Sequence, residues 1–267
     1  MHLFDGHNDL LYRMWQCGTD PAHDGAMARG LASVDGHLDL TRASAVGFTG
    51  GLFALFIPNS AAGEELSGGQ PPSYEDASVI CADMLALADE MVARFGDNIA
   101  KCLTVSDILA AQDASKIAMV LHIEGAEMIS ADCHEIEMLY QRGIRSLGPL
   151  WSRPNLFGEG VPLQFPGSPD QGDGLSDAGK RLVRTCNHYG IMLDLSHLNE
   201  KGFWDIAKLS DKPLVATHSN VHRLCPSPRN LTDRQLDAIA ESGGIVGLCF
   251  ATGYLRTDGE KNPDKSL

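Results

Sequence analysis

The sequence predicts an α/β fold in which helices connect parallel strands, and three observations support this class. Short apolar runs alternate with longer amphipathic segments along the chain, a pattern typical of strand–helix–strand units. The connections between most of them are short. The length of 267 residues is that of a single α/β barrel. Because no linker and no internal repeat interrupts the sequence, we expect residues 1–267 to form one domain.

Seven apolar runs are predicted as the strands of this fold. They lie between the amphipathic segments and are bounded by Gly, Pro and other turn residues. In chain order they cover residues 2–11, 50–58, 117–125, 143–151, 190–197, 213–219 and 243–250.

Five segments between these runs are predicted as helices. The clearest covers residues 74–95, where apolar side chains recur at helical spacing before a glycine. Residues 176–190 begin with a Ser/Asp cap and end on glycine. In residues 230–244, Thr232 and Gln235 have the spacing of a capping box. Shorter helices are predicted over residues 104–113 and 132–142.

Two long insertions interrupt the alternation, and we expect them to form functional lids or binding loops. The first covers residues 12–45, after the first strand. The second covers residues 153–174, after the fourth strand, and is rich in Pro and Gly without helical or strand periodicity. Residues 64–73 have the composition of a flexible surface loop.

The composition argues against several classes of protein. With a formal net charge of −14, the chain has too few basic groups to neutralise the phosphates of a nucleic acid. It contains no apolar run of about 18 residues and no signal-peptide pattern at its start, so no membrane association is expected. The seven cysteines form no C-x-x-C pair, which is typical of reduced thiols in a cytoplasmic protein.

Potential metal ligands stand at the carboxyl ends of four predicted strands. The first strand ends with His7 and Asp9, the third with Glu124, the fifth with His197 and the sixth with His218. These ends meet on one face of a parallel barrel, and imidazole and carboxylate groups are ligands of zinc. Residues two apart in a strand share a face, so the H-x-D pair can point into the barrel mouth together. We therefore expect one or two divalent metal ions there.

Each motif also has a purely structural interpretation. A single H-x-D pair is common and usually carries no function, and the segments DLSH and ATHSN could each begin a capped helix. Their joint occurrence at four strand ends favours a metal site, and Asp194 is predicted to orient a neighbour rather than bind metal. The remaining histidines lack this placement and are predicted to be surface or core residues: His2, His23, His37, His122, His134, His188 and His222.

Five ordered motifs, DGHNDL, HIEGAE, DLSH, ATHSN and SPRNLTD, resemble the membrane (renal) dipeptidase family. This is the M19 group of zinc peptidases in the amidohydrolase superfamily. The resemblance extends from the first residues to about residue 255. It implies a (β/α)8 TIM-type barrel that holds two zinc ions (Zn2+) and a bridging hydroxide.

The resemblance assigns the metal ligands residue by residue. His7, Asp9 and Glu124 would hold one zinc ion, while Glu124, His197 and His218 would hold the other. Glu124 would thus bridge the two ions. Two ions about 3.5–4 Å apart can lower the pKa of a shared water and generate hydroxide near neutral pH.

The resemblance also indicates how a substrate would bind. Arg229 would pair with the C-terminal carboxylate of a short peptide, since its planar fork of donors suits bidentate binding. Trp151 stands where family members carry a histidine that contacts the substrate. An indole can line a pocket but cannot act as an imidazolium, so this departure is expected to change substrate preference.

The family's acid/base aspartate belongs to the eighth strand, which we expect to lie beyond Leu267. The barrel is therefore expected to be truncated before that strand, and no catalytic acid/base is assigned. Asp258 and Asp264 lie in a hydrophilic tail without a preceding strand, so the role is not transferred to them. Seven strands would leave two open edges.

The expected activity is zinc-dependent hydrolysis of L-Xaa-Xaa dipeptides, with tolerance of a D-residue at the C-terminal position. Two alternatives stay open at this point. One is another amidohydrolase reaction, such as deacylation of N-acyl amino acids or opening of a lactam. The other is a metal-binding homologue with impaired catalysis. Barrels of this family often pair, so the resemblance also implies a homodimer.

Overall fold

The computed structural model of the protein describes residues 3–18, 36–59, 71–262 and 264. Parts of the predicted 12–45 insertion and 64–73 loop lie outside these ranges, as do His2 and His23. Within the described residues, strands and helices alternate along the chain as the sequence predicts.

The strands are β1 (Leu3–Asn8), β2 (Phe48–Phe56), β3 (Ile99–Lys101), β4 (Ile117–Glu124), β5 (Ile144–Gly148), β6 (Pro154–Asn155), β7 (Gly158–Glu159), β8 (Met192–Leu193), β9 (Val215–Ala216) and β10 (Ile245–Val246). The helices are α1 (Leu10–Trp15), α2 (Leu40–Ala45), α3 (Tyr74–Phe95), α4 (Val105–Asp113), α5 (Glu135–Gln141), α6 (Asp177–Tyr189), α7 (Glu200–Leu209) and α8 (Asp233–Glu241), followed by a 3-10 helix, Thr252–Tyr254.

A parallel sheet with the order β1-β2-β4-β5-β8 forms the centre of the fold, and β3 pairs with the start of β4. A parallel bridge between Asp194 and Val215 continues it to β9, which pairs with β10. The Leu195 N–H donates to the Val215 carbonyl at 2.8 Å at this junction. All seven predicted strands therefore follow one another in space in chain order, as a parallel half-barrel. Their carboxyl ends lie along one edge.

The longest helix, α3, is confirmed with its predicted bounds. The Ser73 side chain accepts a hydrogen bond from the Asp76 N–H and caps its first turn. Ile80, Met84 and Met91 recur on one face and are buried in the main hydrophobic core. Each such side chain contributes roughly 1.5–3 kcal/mol by burial, so the amphipathic face attaches the helix to the sheet.

The predicted caps of two later helices are also confirmed. Thr232 accepts from the Gln235 N–H, and the Gln235 side chain accepts from the Thr232 N–H, completing the capping box of α8. Ser176 caps α6, which ends on Gly190 in the left-handed conformation at φ 71°.

The first predicted strand was wrong at its C-terminal end. β1 stops at Asn8, Asp9 is the N-cap of α1, and Leu10 and Leu11 are buried helical residues. A short apolar run has no periodicity that distinguishes a strand from a buried helix turn. The elements α1, α2, β3 and α7 were also not predicted.

The second insertion, residues 153–174, was predicted to lack regular structure. It contains the antiparallel hairpin β6–β7 and is hydrogen-bonded along its length to the rest of the molecule. The Gly167 N–H donates to Pro226, the Glu200 N–H donates to Pro169, and Asn199 donates to the carbonyls of Gln171 and Asp173.

The two outer strands carry exposed apolar side chains. In the described part of the chain β1 pairs with β2 alone and β10 with β9 alone. Phe4 is 45% exposed, Ile245 66% and Phe250 77%. The predicted strand over 243–250 is regular only over Ile245–Val246.

Two predictions about composition can be compared with the fold. All seven cysteines are free thiols, and five of them are buried. Among the described helices, none combines the length and apolar character needed to cross a membrane.

Candidate metal centre

Four segments bring the predicted ligands together at the carboxyl edge of the sheet. His7 comes from β1, Glu124 from the end of β4, His197 follows β8 and His218 follows β9. Their side chains are largely withdrawn from solvent. One ligand atom each from His7, Glu124 and His218 lies within 4.8 Å of the other two.

The two oxygens of Glu124 face different partners. Oε2 lies 3.6 Å from His7 Nε2, whereas Oε1 lies 3.0 Å from His197 Nε2 and 3.3 Å from His218 Nε2. The Nε2 atoms of His197 and His218 are 3.0 Å apart. Asp9 Oδ1 lies 3.3 Å from His7 Nε2. The two oxygens of Glu124 thus face different histidines, although the His7 and His218 rings lie only 4.1 Å apart between their centres.

The position of Asp9 differs from the expected geometry. The sequence argument placed it on the same strand face as His7, but the strand ends at Asn8 and Asp9 starts a helix. Its side chain is 50% exposed and reaches His7 from the helix start. Asn8 points away, as expected, and donates to the Leu52 carbonyl at 3.2 Å.

The donor set fits divalent metal ions. In a tetrahedral zinc site with bonds of about 2.0–2.1 Å, neighbouring ligand atoms lie about 3.3 Å apart. The separations within the cluster, 3.0–3.6 Å, match this spacing. In addition, the buried Nδ1 of His7 has no hydrogen-bond partner among the described residues. Such a group of nitrogens and oxygens has the chemistry of a metal site.

The protonation of the cluster is set by burial and by its own charges. Burial lowers the pKa of His197 to about 4 and that of His218 to about 3, so both rings are neutral at pH 7, the form that binds metal. Burial also opposes charge on His7 and Glu124, but their mutual attraction prevails. The pKa of His7 rises to about 10, and that of Glu124 falls well below its usual range.

Hydroxyl groups hold the outer nitrogens of two histidines. Ser152 Oγ lies 2.7 Å from His197 Nδ1, and Thr217 Oγ1 lies 2.8 Å from His218 Nδ1. Thr217 in turn donates to Asp194 Oδ2 at 2.6 Å. Asp194 acts on His218 through Thr217, which agrees with its predicted orienting role. Ser152 and Thr217 were missed because a single hydroxyl next to a motif carries no spacing signal.

Arg229 lies beside the cluster, and not all of its N–H donors have a hydrogen-bond partner among the described residues. Its Nη2 donates to the His218 carbonyl at 3.0 Å, and its guanidinium lies 5.7 Å from the centre of the Tyr254 ring. The side chain is buried, and its Nε has no partner among the described residues. No described carboxylate lies within 4.0 Å of it.

Trp151 borders the cluster on the side of His197. Its ring centre lies 6.0 Å from that of His197 and 5.2 Å from that of Phe56, and the residue is buried. Phe56 also packs edge-on against Tyr12. The indole thus belongs to an aromatic wall next to the imidazoles.

The remaining described histidines do not join the ligand set. His122 is fully buried behind His7 and is held by Ser146 Oγ at 2.8 Å. His222 Nε2 lies 2.9 Å from the Gly167 carbonyl. The side chain of His134 is 67% exposed and binds Asp132 at the surface.

A parallel α/β sheet with imidazoles and carboxylates gathered at its carboxyl edge is the arrangement found in metal-dependent hydrolases. The family described as membrane dipeptidase (peptidase family M19) matches residues 1–266. A metallopeptidase from Rhodobacter sphaeroides, solved with a phosphinate mimic of the dipeptide L-Ala-D-Ala, is 44% identical with a TM-score of 0.92. The match covers 100% of this chain and 78% of that chain.

Two further relatives match this chain over nearly its whole length. The solved dipeptidase AC, a metallopeptidase of family M19, is 46% identical with a TM-score of 0.92, over 100% of this chain and 77% of that one. An uncharacterized protein in the PQQ-III 3′ region of Acinetobacter calcoaceticus is 42% identical over 276 residues, which is 99% of this chain and 85% of that protein.

The chain belongs to the membrane dipeptidase family, peptidase family M19. It is therefore a hydrolase of peptide bonds, with metallopeptidases among its solved relatives. The predicted family and enzyme class are confirmed.

Proposed function

We propose that the protein is a zinc-dependent dipeptidase that hydrolyses short peptides with a free C-terminal carboxylate. The single observation that carries this proposal is the placement of Glu124 between two sets of nitrogen and oxygen ligands, one on each carboxylate oxygen. The dipeptide mimic bound to the solved relative supports a substrate of the same class.

The ligand assignment follows from the two sets. His7, Asp9 and Glu124 would hold one zinc ion; Glu124, His197 and His218 would hold the second. When bound, the ions would polarise the scissile carbonyl and lower the pKa of a shared water. Neutral His197 and His218 offer lone pairs without first losing a proton.

The substrate would be oriented by side chains that border the metal ligands. Arg229 has an unpartnered buried Nε and no carboxylate partner among the described residues, so it can receive the terminal carboxylate of a peptide. Trp151, packed against Phe56, would line the pocket with an apolar surface. It could not make the substrate contact that a histidine makes at this position in other family members. A buried arginine whose guanidinium contacts the backbone of His218 favours a short substrate.

We also propose that the half-barrel is part of a single-domain (β/α)8 barrel. The seven strands in spatial order and the edges of β1 and β10 support this. In the described residues the outer edges of β1 and β10 have no paired strand, and an eighth strand that paired with both would displace the contact between Gly6 and Gly247.

Metal analysis combined with a substrate panel tests the function. The purified chain, dialysed against zinc and then against buffer, should retain about two equivalents, as a shared carboxylate requires. The panel contains dipeptides with L- or D-residues at the C-terminal position, their C-terminal amides, N-acyl amino acids and lactams. Hydrolysis that needs both zinc and the free carboxylate supports the proposal. Turnover of acyl amino acids or lactams alone would contradict it, as would two bound zinc ions without any turnover in a protein extended by the eighth strand and its aspartate.

A further inference from the structure

We propose that Ser152 is a positioning residue that orients the His197 imidazole, on a backbone that the 153–174 insertion contacts. The consequence for metal binding rests on the proposed function, in which His197 is a ligand. The orientation itself concerns only contacts within the protein.

The backbone of His197 is in an unusual conformation. Its φ is 69°, in the left-handed region that residues other than glycine rarely adopt. Such a conformation persists only where surrounding contacts enforce it. The Val161 N–H donates to the His197 carbonyl at 2.8 Å, and Gly160 forms an antiparallel bridge with Leu198. The insertion supplies both contacts.

The ring of His197 is held by Ser152, the residue that directly precedes the insertion. Ser152 Oγ lies 2.7 Å from Nδ1, while Nε2 on the opposite side of the ring lies 3.0 Å from Glu124 Oε1. Of the two neutral tautomers, the one protonated on Nδ1 donates to Ser152 and leaves the Nε2 lone pair facing the cluster. Ser152 is buried, so bulk water does not compete for this hydrogen bond.

The segment that carries Ser152 is anchored on both sides. Arg153 is fully buried, and its guanidinium donates to Glu127 Oε1 at 2.9 Å, to Asn59 Oδ1 at 2.9 Å and to the Ile57 carbonyl. These partners follow β2 and β4, so the arginine ties the segment to two neighbouring strands. Trp151 is packed against Phe56 on the other side.

Gly160 allows the insertion to pack against the backbone of Trp151 and Arg153. The Gly160 N–H donates to the Arg153 carbonyl at 3.2 Å. A Cβ at position 160 would collide with the Trp151 carbonyl oxygen, so another residue there would separate the two chain segments. The contacts of Val161 with His197 depend on this close approach.

Three variants test the role of the hydroxyl. Ser152→Ala removes the bond to His197, and Ser152→Thr retains a hydroxyl. Ser146→Ala is the matched control, because it removes the same type of buried bond, at 2.8 Å, from His122, which is outside the proposed ligand set. Zinc affinity is measured by competition with a chelator, and the tautomer of His197 is measured by imidazole 15N NMR on the metal-free protein.

We expect Ser152→Ala to lower zinc affinity roughly 10- to 100-fold and to shift the His197 signals toward a mixture of tautomers. Ser146→Ala should change neither, and Ser152→Thr should restore both in part. Equal losses in the two alanine variants, or an unchanged tautomer in Ser152→Ala, would overturn the proposal. If wild-type protein binds no zinc, the proposed function fails, whereas the tautomer measurement still decides the role of Ser152.

Discussion

The side chain of Arg229 makes one hydrogen bond within the protein and keeps a second donor for a ligand. One of its nitrogens supports the His218 carbonyl, and another is buried without a partner among the described residues. An unsatisfied buried donor costs free energy unless a ligand completes it. We therefore expect the binding of a carboxylate to recover this cost.

Replacing Arg229 by methionine should lower kcat/KM for a dipeptide roughly 10- to 100-fold, the value of hydrogen bonds to a charged group. Most of the change should fall on KM, since the terminal carboxylate is remote from the reacting bond. Hydrolysis of the dipeptide and its C-terminal amide should become similar. Steady-state kinetics measure this, with zinc content checked in parallel. Arg223→Met, a surface arginine paired with Asp233, is the control; an equal loss in both variants would refute the assignment.

His134 provides a prediction far from the cluster. Its hydrogen bond to Asp132 and the nearby charge of Glu135 raise its pKa above 6.5, and hydrogen bonds from Ser130 and His134 lower the pKa of Asp132 to about 2. The histidine's contribution to stability is therefore complete below pH 6.5 and lost as pH rises through its folded-state pKa. The contribution of Asp132 to stability is present above pH 3.8 and is lost as the pH falls toward 2.

An NMR titration of His134 should give a pKa above 6.5 in the wild type and a value closer to 6.5 in Asp132→Asn. The stability advantage of the wild type over this variant should be greatest between pH 3.8 and 6.5, where both groups are charged. Added salt should reduce the difference, because the pair is exposed. An identical pKa in both proteins would show that the pair does not interact.

The convergence of the ligands could be predicted from the sequence, but their orientation could not. His7, Glu124, His197 and His218 stand at strand ends, and parallel strands bring such ends together whatever the details of packing. The hydroxyl of Ser152 reaches His197 across 45 positions of sequence. No local pattern records a contact of that kind.

At the scale of elements, the β1 backbone lies so close to the segments that follow β9 and β10 that only glycine, which has no Cβ, fits at the contact. The Gly6 and Gly247 backbones both lie against the Thr217 carbonyl, and a Cβ at either position would collide with its oxygen. This approach brings the His7 ring to 4.1 Å from the His218 ring, measured between centres. A glycine within a strand can permit such contact between backbones.

Gly6→Ala should displace β1 and separate His7 from His218. We expect a loss of unfolding free energy of roughly 1–3 kcal/mol, as for other overpacked sites, together with weaker zinc binding. Gly148→Ala is the matched control, because a Cβ there would have no contact closer than 3.6 Å and the residue also ends a strand near Asp194. Denaturant unfolding and chelator competition measure the two effects. A Gly6→Ala protein with wild-type zinc affinity would contradict this account of β1.

Long elements were predicted better than short ones. The periodicity of α3 extends over 22 residues and determined both its ends, whereas β3 has 3 residues and α1 has 6, too few for a period to be recognised. Leu10 and Leu11 extend the apolar run of β1, so only the turn at Asp9 separates strand from helix. Tertiary packing decides such cases.

At the scale of the whole molecule, the order of the seven predicted strands is recovered while their lengths are not. Strands β8, β9 and β10 have 2 residues each, although the apolar runs that contain them are longer. After β8 and β9 the chain leaves the sheet in the segments that carry His197 and His218.

The exposed edges determine how the chain of 267 residues should behave in solution. Backbone groups on an outer strand can pair with another molecule, and exposed apolar side chains beside them add to the attraction. Leu3 and Phe4 lie on β1, Ile245 lies on β10 and Phe250 follows it, all more than 40% exposed. We therefore expect concentration-dependent self-association of this chain, measurable by size-exclusion chromatography with light scattering.

Charged residues at the edge should suppress that association. Ile245→Lys combined with Phe250→Lys removes two exposed apolar side chains and adds charge, a device that protects natural edge strands. The variant should remain monomeric at concentrations where the wild type associates, with little loss of stability because neither side chain is buried. Val79→Lys with Val105→Lys, at exposed apolar positions on α3 and α4, is the matched control and should associate like the wild type. If the control and the edge variant behave alike, the edge at β10 does not drive self-association.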